Sequence, residues 1–376
     1  MSSLKERFVA LDVFRGMTIC FMIIVNTPGS GAIPYSPLEH ATWHGFTPTD
    51  LVFPSFLFAV GNAMSFSLKK YASNTAFLTK IIKRTLLIFL IGYLMYWFPF
   101  FGQNSAGEII SAPVADTRIM GVLQRIALCY FFGSLLVHYF STKKVIIISI
   151  ILLIGYWILL LAFGNPSQPL SMMGNAGLYL DKFLMGTNHL YHGESIPFDP
   201  EGWLSTLPSI VNVIIGFFAG RFIQNKGKTF ECLSKLMLVG ALLIFIALWW
   251  NFIFPINKKL WSSSFVFITC GLDLIIISAL IYILEMKNWN PIHWSGFFQI
   301  FGRNPLFIYI LSELLVVVLF MVHVGNRESL FNYINRTVFQ VVAPGAFGSF
   351  LFAIFFMLIC WSIGWWLNKR KIYVKV

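Results

Sequence analysis

Residues 40–56 read HATWHGFTPTDLVFPSF, polar and histidine-bearing at the start and apolar at the end. They join two runs, Phe8 to Thr27 and residues 49–68, each about 20 residues long, the length that crosses a bilayer core. Thr47, Pro48, Thr49 and Asp50 read as an N-cap threonine, a first-turn proline and an acid at the third helical position. A helix therefore opens here with a carboxylate at its mouth. His40, Trp43, His44 and Asp50 are close enough in sequence for that carboxylate to orient an imidazole. Pro54 frees a backbone carbonyl and bends the helix just inside. An imidazole and an acid at a membrane surface are what acid–base chemistry at that boundary requires. The stretch points to an integral-membrane enzyme.

The rest of the chain agrees. With 57% hydrophobic residues, 11% charged residues and 40 phenylalanines, it holds more apolar material than a soluble fold of 376 residues buries. Its mean hydropathy is +0.76. Apolar windows predict about ten transmembrane helices, near 8–27, 49–68, 79–98, 119–139, 144–163, 204–222, 234–254, 262–284, 303–323 and 345–367. The expected fold is all-α and polytopic, one transmembrane domain over residues 1–376. The run Phe8 to Thr27 is read as a retained helix, because no small-residue cleavage site follows it.

An even number of spans puts both termini on one side. With the N-terminus cytoplasmic, basic residues crowd the inner segments: Lys5, Arg7, Lys69, Lys70, Lys80, Lys83, Arg84, Lys143, Lys144, Arg221, Lys226, Lys228, Lys235, Lys287, Arg303, Lys369, Arg370, Lys371 and Lys375. The outer segments hold only Arg118, Lys182, Lys258, Lys259, Arg327 and Arg336. That asymmetry predicts both termini in the cytoplasm. The net charge of +12 is then mostly an inner-leaflet bias and implies no nucleic-acid partner. The long outer loops, residues 28–48 and 164–203, put at least one substrate outside. The five cysteines lie in or beside apolar runs without paired spacing, which argues against disulfides and zinc. His189 and His192 sit in a glycine-rich segment, and no metal is expected. Walker, GxGxxG, HExxH and GxSxG motifs are all missing.

Several polar groups lie where lipid makes them costly. Asp12, Arg15 and Asn26 fall within about 60° of one another on the first helix and span ~21 Å along it. Asp12 and Arg15 can neutralise each other at i, i+3 spacing, whereas Asn26 closes the helix beside the flexible TPGSG of residues 27–31. In RIMGVLQR (118–125), helical spacing would put Arg118, Gly121 and Arg125 on one face with Arg125 ~10 Å deeper. At that depth Arg125 needs either an ion partner, for which Asp273 and Glu313 are the candidates, or an anionic ligand such as a phosphate of an acyl carrier. FGRNP (301–305) offers a basic, proline-broken helix start at Arg303 and Asn304 that could hold an anion.

Five segments and one asparagine, in order along the chain, resemble the heparan-α-glucosaminide N-acetyltransferase family. They are LDVFRG (11–16) with Asn26, HATWHGFTPTDLVFPSFLFAVG (40–61), GVLQR (121–125), FDPEGWLSTLPSIV (198–211) and NKKLWSSSFV (257–266). The resemblance implies a membrane acetyltransferase moving an acetyl group from cytosolic acetyl-CoA to the amino group of a glucosamine-type sugar outside. By position, His40 resembles the active-site histidine, with Asn26 and Asp50 its companions. Arg125, Arg118, Arg15, Gln124, Arg303 and Asn304 are expected on the acetyl-CoA side, and Trp43, His44, Asp199, Glu201 and Trp261 on the acceptor side. The chain departs from the lysosomal members at Met120 and His44, where they carry proline and asparagine, and is expected to lack their luminal N-terminal domain and first helix. A bacterial cytoplasmic (inner) membrane and a homodimer are the expected setting.

In this reading His40 removes a proton as the amine attacks the thioester, or first accepts the acetyl group as an acyl-imidazole. Asp50 orients the ring and Asn26 donates to the oxyanion, a contact worth ~3 kcal/mol in comparable sites. Two rivals share the observations: an O-acetyltransferase of envelope polysaccharide, and an ion-coupled secondary transporter with Asp12, Arg15, Asp273 and Glu313 as its relay.

Overall fold

The computed structural model describes residues 8–29, 34–68, 73–103, 109–325 and 328–374. Of the orientation-setting residues, Lys5, Arg7, Lys69, Lys70, Arg327 and Lys375 lie outside these, as do Ser30 and Gly31 of the TPGSG loop.

Every expected span is a helix. They are α1 (Val9–Asn26), α2 (Val52–Ser67), α3 (Asn74–Trp97), α4 (Val122–Tyr139), α5 (Thr142–Phe163), α7 (Thr206–Lys226), α8 (Phe230–Trp250), α9 (Ser263–Ile281), α11 (Pro305–Met321) and α14 (Ala346–Lys369). Between them lie four shorter helices, α6 (Ala176–Met185), α10 (Trp294–Arg303), α12 (Leu330–Ile334) and α13 (Gln340–Val342). Two small antiparallel hairpins complete the described chain, β1 (Phe101–Gln103) with β2 (Ile109–Ser111) and β3 (His323–Val324) with β4 (Glu328–Ser329). Seven helices are long and apolar enough to cross a membrane alone, and an eighth span arises if α10 and α11 count together. Of the remaining two, α2 has only 16 residues, and α3 opens with Lys80, Lys83 and Arg84. The protein is an all-α, polytopic membrane protein. Its outward faces suit lipid: α3 turns Leu86 and Leu90 outward, and α5 does so with Ile147, Ile151 and Ile158.

Two expectations need correction. The fourth helix begins at Val122, and Gly121 before it is extended. Arg118 thus sits in the approach loop, and helical spacing to Arg125 does not hold. The ninth span is the second arm of a broken pair, since α10 and α11 meet at 76° across Asn304 and Pro305. A proline that cannot continue the preceding ladder accounts for the break.

The central helices meet backbone to backbone. Between α2 and α7, a Cβ on Gly61 would stand 1.8 Å from the Val213 carbonyl oxygen, and one on Gly216 would stand 2.1 Å from that of Phe58. Small residues that let helix backbones touch are the usual device where no hydrophobic effect drives association. The start of α1 and the C-terminus share one end of the bundle. There the Ala10 N–H donates to Glu285 at 2.9 Å, and Asn304 bonds the backbone of Ile372 and Val374. Residues 34–51 and the loop before α9 cover the opposite end, where the polar cleft lies.

Candidate active-site cleft

The helix start expected at Thr47 forms as a capping box. The Thr47 N–H donates to Asp50 Oδ2 at 3.0 Å, and Pro48 and Asp50 take the first and third positions of a 3₁₀ turn leading into α2. Capping leaves the other carboxylate oxygen available, and it lies 2.7 Å from His40 Nδ1. The Ala41 N–H and the Thr47 hydroxyl also reach Asp50 Oδ2, at 3.2 and 3.1 Å. Asp50 is fully buried. Burial alone would raise its pKa, but the His40 bond, the nearby Lys258 charge and the Thr47 N–H together hold it below the ordinary carboxylate value. An ionised Asp50 makes Nδ1 of His40 the protonated nitrogen and leaves the Nε2 lone pair to the cleft.

The His40 side chain is 39% exposed. The crowding of protein around it is the largest influence and lowers its pKa, the Asp50 bond opposes that, and Lys258 lowers it further. A neutral imidazole at physiological pH follows. Lys258 Nζ stands 2.9 Å from Nε2 and 3.1 Å from Nδ1. Burial likewise lowers the Lys258 pKa against the pull of Glu201 and Asp50. The turn 257–262 presents this lysine. Asn257 Oδ1 accepts from the Leu260 N–H at 2.7 Å, the Asn257 N–H donates to Ser262 Oγ at 3.0 Å, and Trp261 adopts φ +55°. A tryptophan in that left-handed region is strained, and such strain persists where surrounding contacts fix the turn. Lys259, next along, pairs with Glu194 at 2.7 Å.

These groups line a cleft of about 410 Å³ between α1, the start of α2, α11 and the outer loops. Asn26, His40, Asp50, Tyr96, Arg118, Tyr191, Glu194, Glu201, Lys258, Lys259, Tyr309 and Glu313 form its polar wall, with Met22, Val25, Phe53 and Val122 supplying apolar surface. Arg118 is fully engaged, at 2.9 and 2.7 Å from the two oxygens of Asp199 and 2.6 Å from Glu201. Its guanidinium also lies over the rings of Tyr96 and Tyr191, 4.9 and 4.6 Å from their centroids. Among the described residues, no group of three His, Cys, Asp or Glu side chains converges as a metal site. His189 spends Nδ1 on the Thr117 carbonyl at 2.7 Å.

The structure thus brings together His40, Asp50, Asn26, Arg118 and Glu201, with Asp199 just behind. It does not bring the other expected site residues there. Arg125 is fully buried behind the wall, bonded to the Gly202 carbonyl and the Ser205 hydroxyl and lying over the Trp261 ring. Its expected partners are elsewhere, Asp273 on Ser55 and Glu313 in the cleft. Gln124 is buried beside Gly92. Trp43 donates to the Leu170 carbonyl, His44 meets Asn257, and Trp261 donates to Asn212. Arg15 pairs with Asp12, while Arg303 binds Gln299 and Asn368. Arg303 and Asn304 sit at the chain-terminus end of the bundle, as the Asn304 bonds to the C-terminal backbone show. Of the four groups of the supposed transport relay, Asp12 and Arg15 pair with each other, Asp273 is bonded to Ser55 and Glu313 lines the cleft. Sequence reasoning missed Lys258, Glu194, Tyr191 and the cleft position of Glu313. The one available signal was NKKLW, two adjacent cations in an outer segment otherwise poor in them.

A family model described as heparan-alpha-glucosaminide N-acetyltransferase, catalytic, matches residues 7–254. The mouse (Mus musculus) and human (Homo sapiens) proteins named heparan-alpha-glucosaminide N-acetyltransferase are 29% and 28% identical to the chain over 371 residues, covering 83% of it and 54% of each relative. The chain spans about half the length of these curated relatives.

Proposed function

Because the chain belongs to the heparan-alpha-glucosaminide N-acetyltransferase catalytic family, we propose that this membrane acetyltransferase moves an acetyl group from cytosolic acetyl-CoA to the amino group of a glucosamine-type sugar outside. The observation that carries the reading is the His40–Asp50 pair, 2.7 Å apart at the wall of a polar cleft, with Nε2 left free of Asp50. An acceptor amine displaces Lys258 from Nε2 and attacks the thioester carbonyl. As the C–N bond forms, Nε2 takes a proton from the nitrogen. The Asn26 amide donates to the carbonyl oxygen as it becomes negative. The C–S bond then breaks and His40 returns its proton to the CoA sulfur. Asp50 holds the productive tautomer throughout, and its charge steadies the imidazolium.

The donor's nucleotide suits the other end. A second cavity of about 290 Å³ is lined in part by Arg15 and Arg84, each with a buried Nε that has no hydrogen-bond partner among the described residues. Eleven residues of α1 separate Arg15 from Asn26, ~16 Å at 1.5 Å per residue. The excess of basic residues at that end supports placing it on the cytoplasmic side, and a bacterial inner membrane is the setting this reading proposes. The homodimer expected from related transferases belongs to the same reading.

Proteoliposomes test chemistry and sidedness together. With labelled acetyl-CoA supplied only on the side of the chain termini and glucosamine only on the other, labelled N-acetylglucosamine should accumulate with the sugar. Movement of unmodified glucosamine without CoA release would instead mark a transporter.

A further inference from the structure

The cleft contains four acidic side chains, and three are already answered. Asp50 holds His40, Glu194 holds Lys259 and Glu201 holds Arg118. Glu313, on α11, has the Asn26 amide for a neighbour, but no ion-pair partner among the described residues. Around it stand Tyr96 from α3, Tyr309 from its own helix, and Met22 and Val25 from α1. The cleft's other charged and titratable groups include His40, Glu201, Lys258, Lys259 and Arg118; the Arg118 charge reaches Glu313, but its guanidinium is spent on Asp199 and Glu201. A carboxylate left without a counter-charge in a partly apolar cleft is a receptor for a cation that arrives with the substrate.

The acetyl acceptor proposed above supplies that cation, and the inference rests on that reading. An amino sugar arrives at neutral pH mostly as an ammonium, which has no lone pair with which to attack. N-acetylation must remove two protons from nitrogen, and one histidine accounts for one of them. We infer that Glu313 docks the acceptor ammonium and takes the first proton, making it the group that selects an amine over a hydroxyl acceptor. The steps balance. R–NH₃⁺ gives a proton to the Glu313 carboxylate, leaving R–NH₂ and a neutral carboxylic acid. The amine forms the C–N bond, its second proton passes to His40 Nε2, the C–S bond breaks, and His40 protonates the CoA thiolate. Glu313 then releases its proton to water in the cleft. The sum is R–NH₃⁺ plus acetyl-CoA giving the amide, CoA–SH and one free proton. Asn26, which hydrogen-bonds Glu313 and lines the same cleft as His40, would serve the oxyanion while steering the carboxylate.

Glu313→Gln keeps the shape and removes the base. The purified enzyme is assayed with acetyl-CoA and two acceptors: glucosamine, charged at neutral pH, and hydroxylamine, already uncharged there. Glu313→Gln should lose about 10²-fold or more of wild-type kcat/KM for glucosamine at pH 7. The deficit should shrink as pH rises through the sugar's own amine pKa, and hydroxylamine should be acetylated at near wild-type rate. Glu313→Asp, which keeps a carboxylate, should retain far more neutral-pH glucosamine activity than Glu313→Gln. Unchanged glucosamine kinetics in Glu313→Gln, equal losses with both acceptors, or equal activities of the Asp and Gln variants would each overturn the inference. A wild type that acetylates neither acceptor would instead sink the acetyltransferase reading on which it stands.

Discussion

At the scale of single residues, the chemistry turns on a contest around His40. Crowding and the Lys258 ammonium lower its proton affinity, while Asp50 raises it, and the first two prevail. A base must be neutral to work, so activity is lost as pH falls through the His40 pKa, and a lowered pKa places that acid limb below the ordinary imidazole value of about 6.5. Lys258→Met removes one of the lowering influences. Its acid limb in kcat/KM against pH should therefore move to higher pH than that of wild type. A limb that stays put or moves lower would show that Lys258 does not govern His40. Sequence made His40 and Asp50 legible because one short segment carries both, and a capping acid announces its position through the threonine and proline before it. Lys258 and Glu313 stayed hidden for the opposite reason. They lie 218 and 273 positions beyond His40, and nothing local says that a loop lysine or a mid-helix glutamate points into the same cleft. For Arg125, depth in a helix signals cost but does not say what meets the guanidinium, and here a backbone carbonyl and a serine hydroxyl do.

At the scale of elements, the ten long helices are legible in the sequence, whereas the four short ones and the helix joins are not. Apolar runs of about 20 residues identify spans by transfer energy alone, and all ten appear as helices. The start of α4 was placed three residues early because Ile119 and Met120 extend the apolar run, although Gly121 leaves helical geometry. The α10–α11 break was half visible in FGRNP, whose proline marks the bend without disclosing that α10 folds against α1. That packing depends on Gly16 and Gly302, where an added Cβ would stand 1.8 Å from the Phe298 carbonyl oxygen and 1.9 Å from that of Asp12, as the α2–α7 contact that fixes the mouth of α2 depends on Gly61 and Gly216. Gly61→Val should therefore lower the unfolding midpoint in detergent, at a cost of about 1–3 kcal/mol for overpacking. Gly155→Ala on α5, where a Cβ meets nothing within 4 Å, should leave the midpoint near wild type. Equal effects of the two substitutions would mean that the close crossing does not hold the bundle together.

At the scale of the whole molecule, the bundle separates two polar sites and surrounds them with apolar surface. The Arg15–Arg84 cavity lies at the chain-terminus end and the His40 cleft at the other. Under the proposed function, that separation would serve a donor made on one side and an acceptor found on the other. Beyond the region matched by the family model, α11 and the 257–262 turn still supply walls to the same cleft. Everything converges on one imidazole. The most direct measurement compares wild type and His40→Ala in detergent, following N-acetylglucosamine formation from acetyl-CoA and glucosamine alongside the equilibrium affinity for CoA. Proton transfer through His40 predicts that the variant binds CoA as wild type does and forms product at least about 10²-fold more slowly. Product formation at the wild-type rate with CoA binding intact would contradict a catalytic His40.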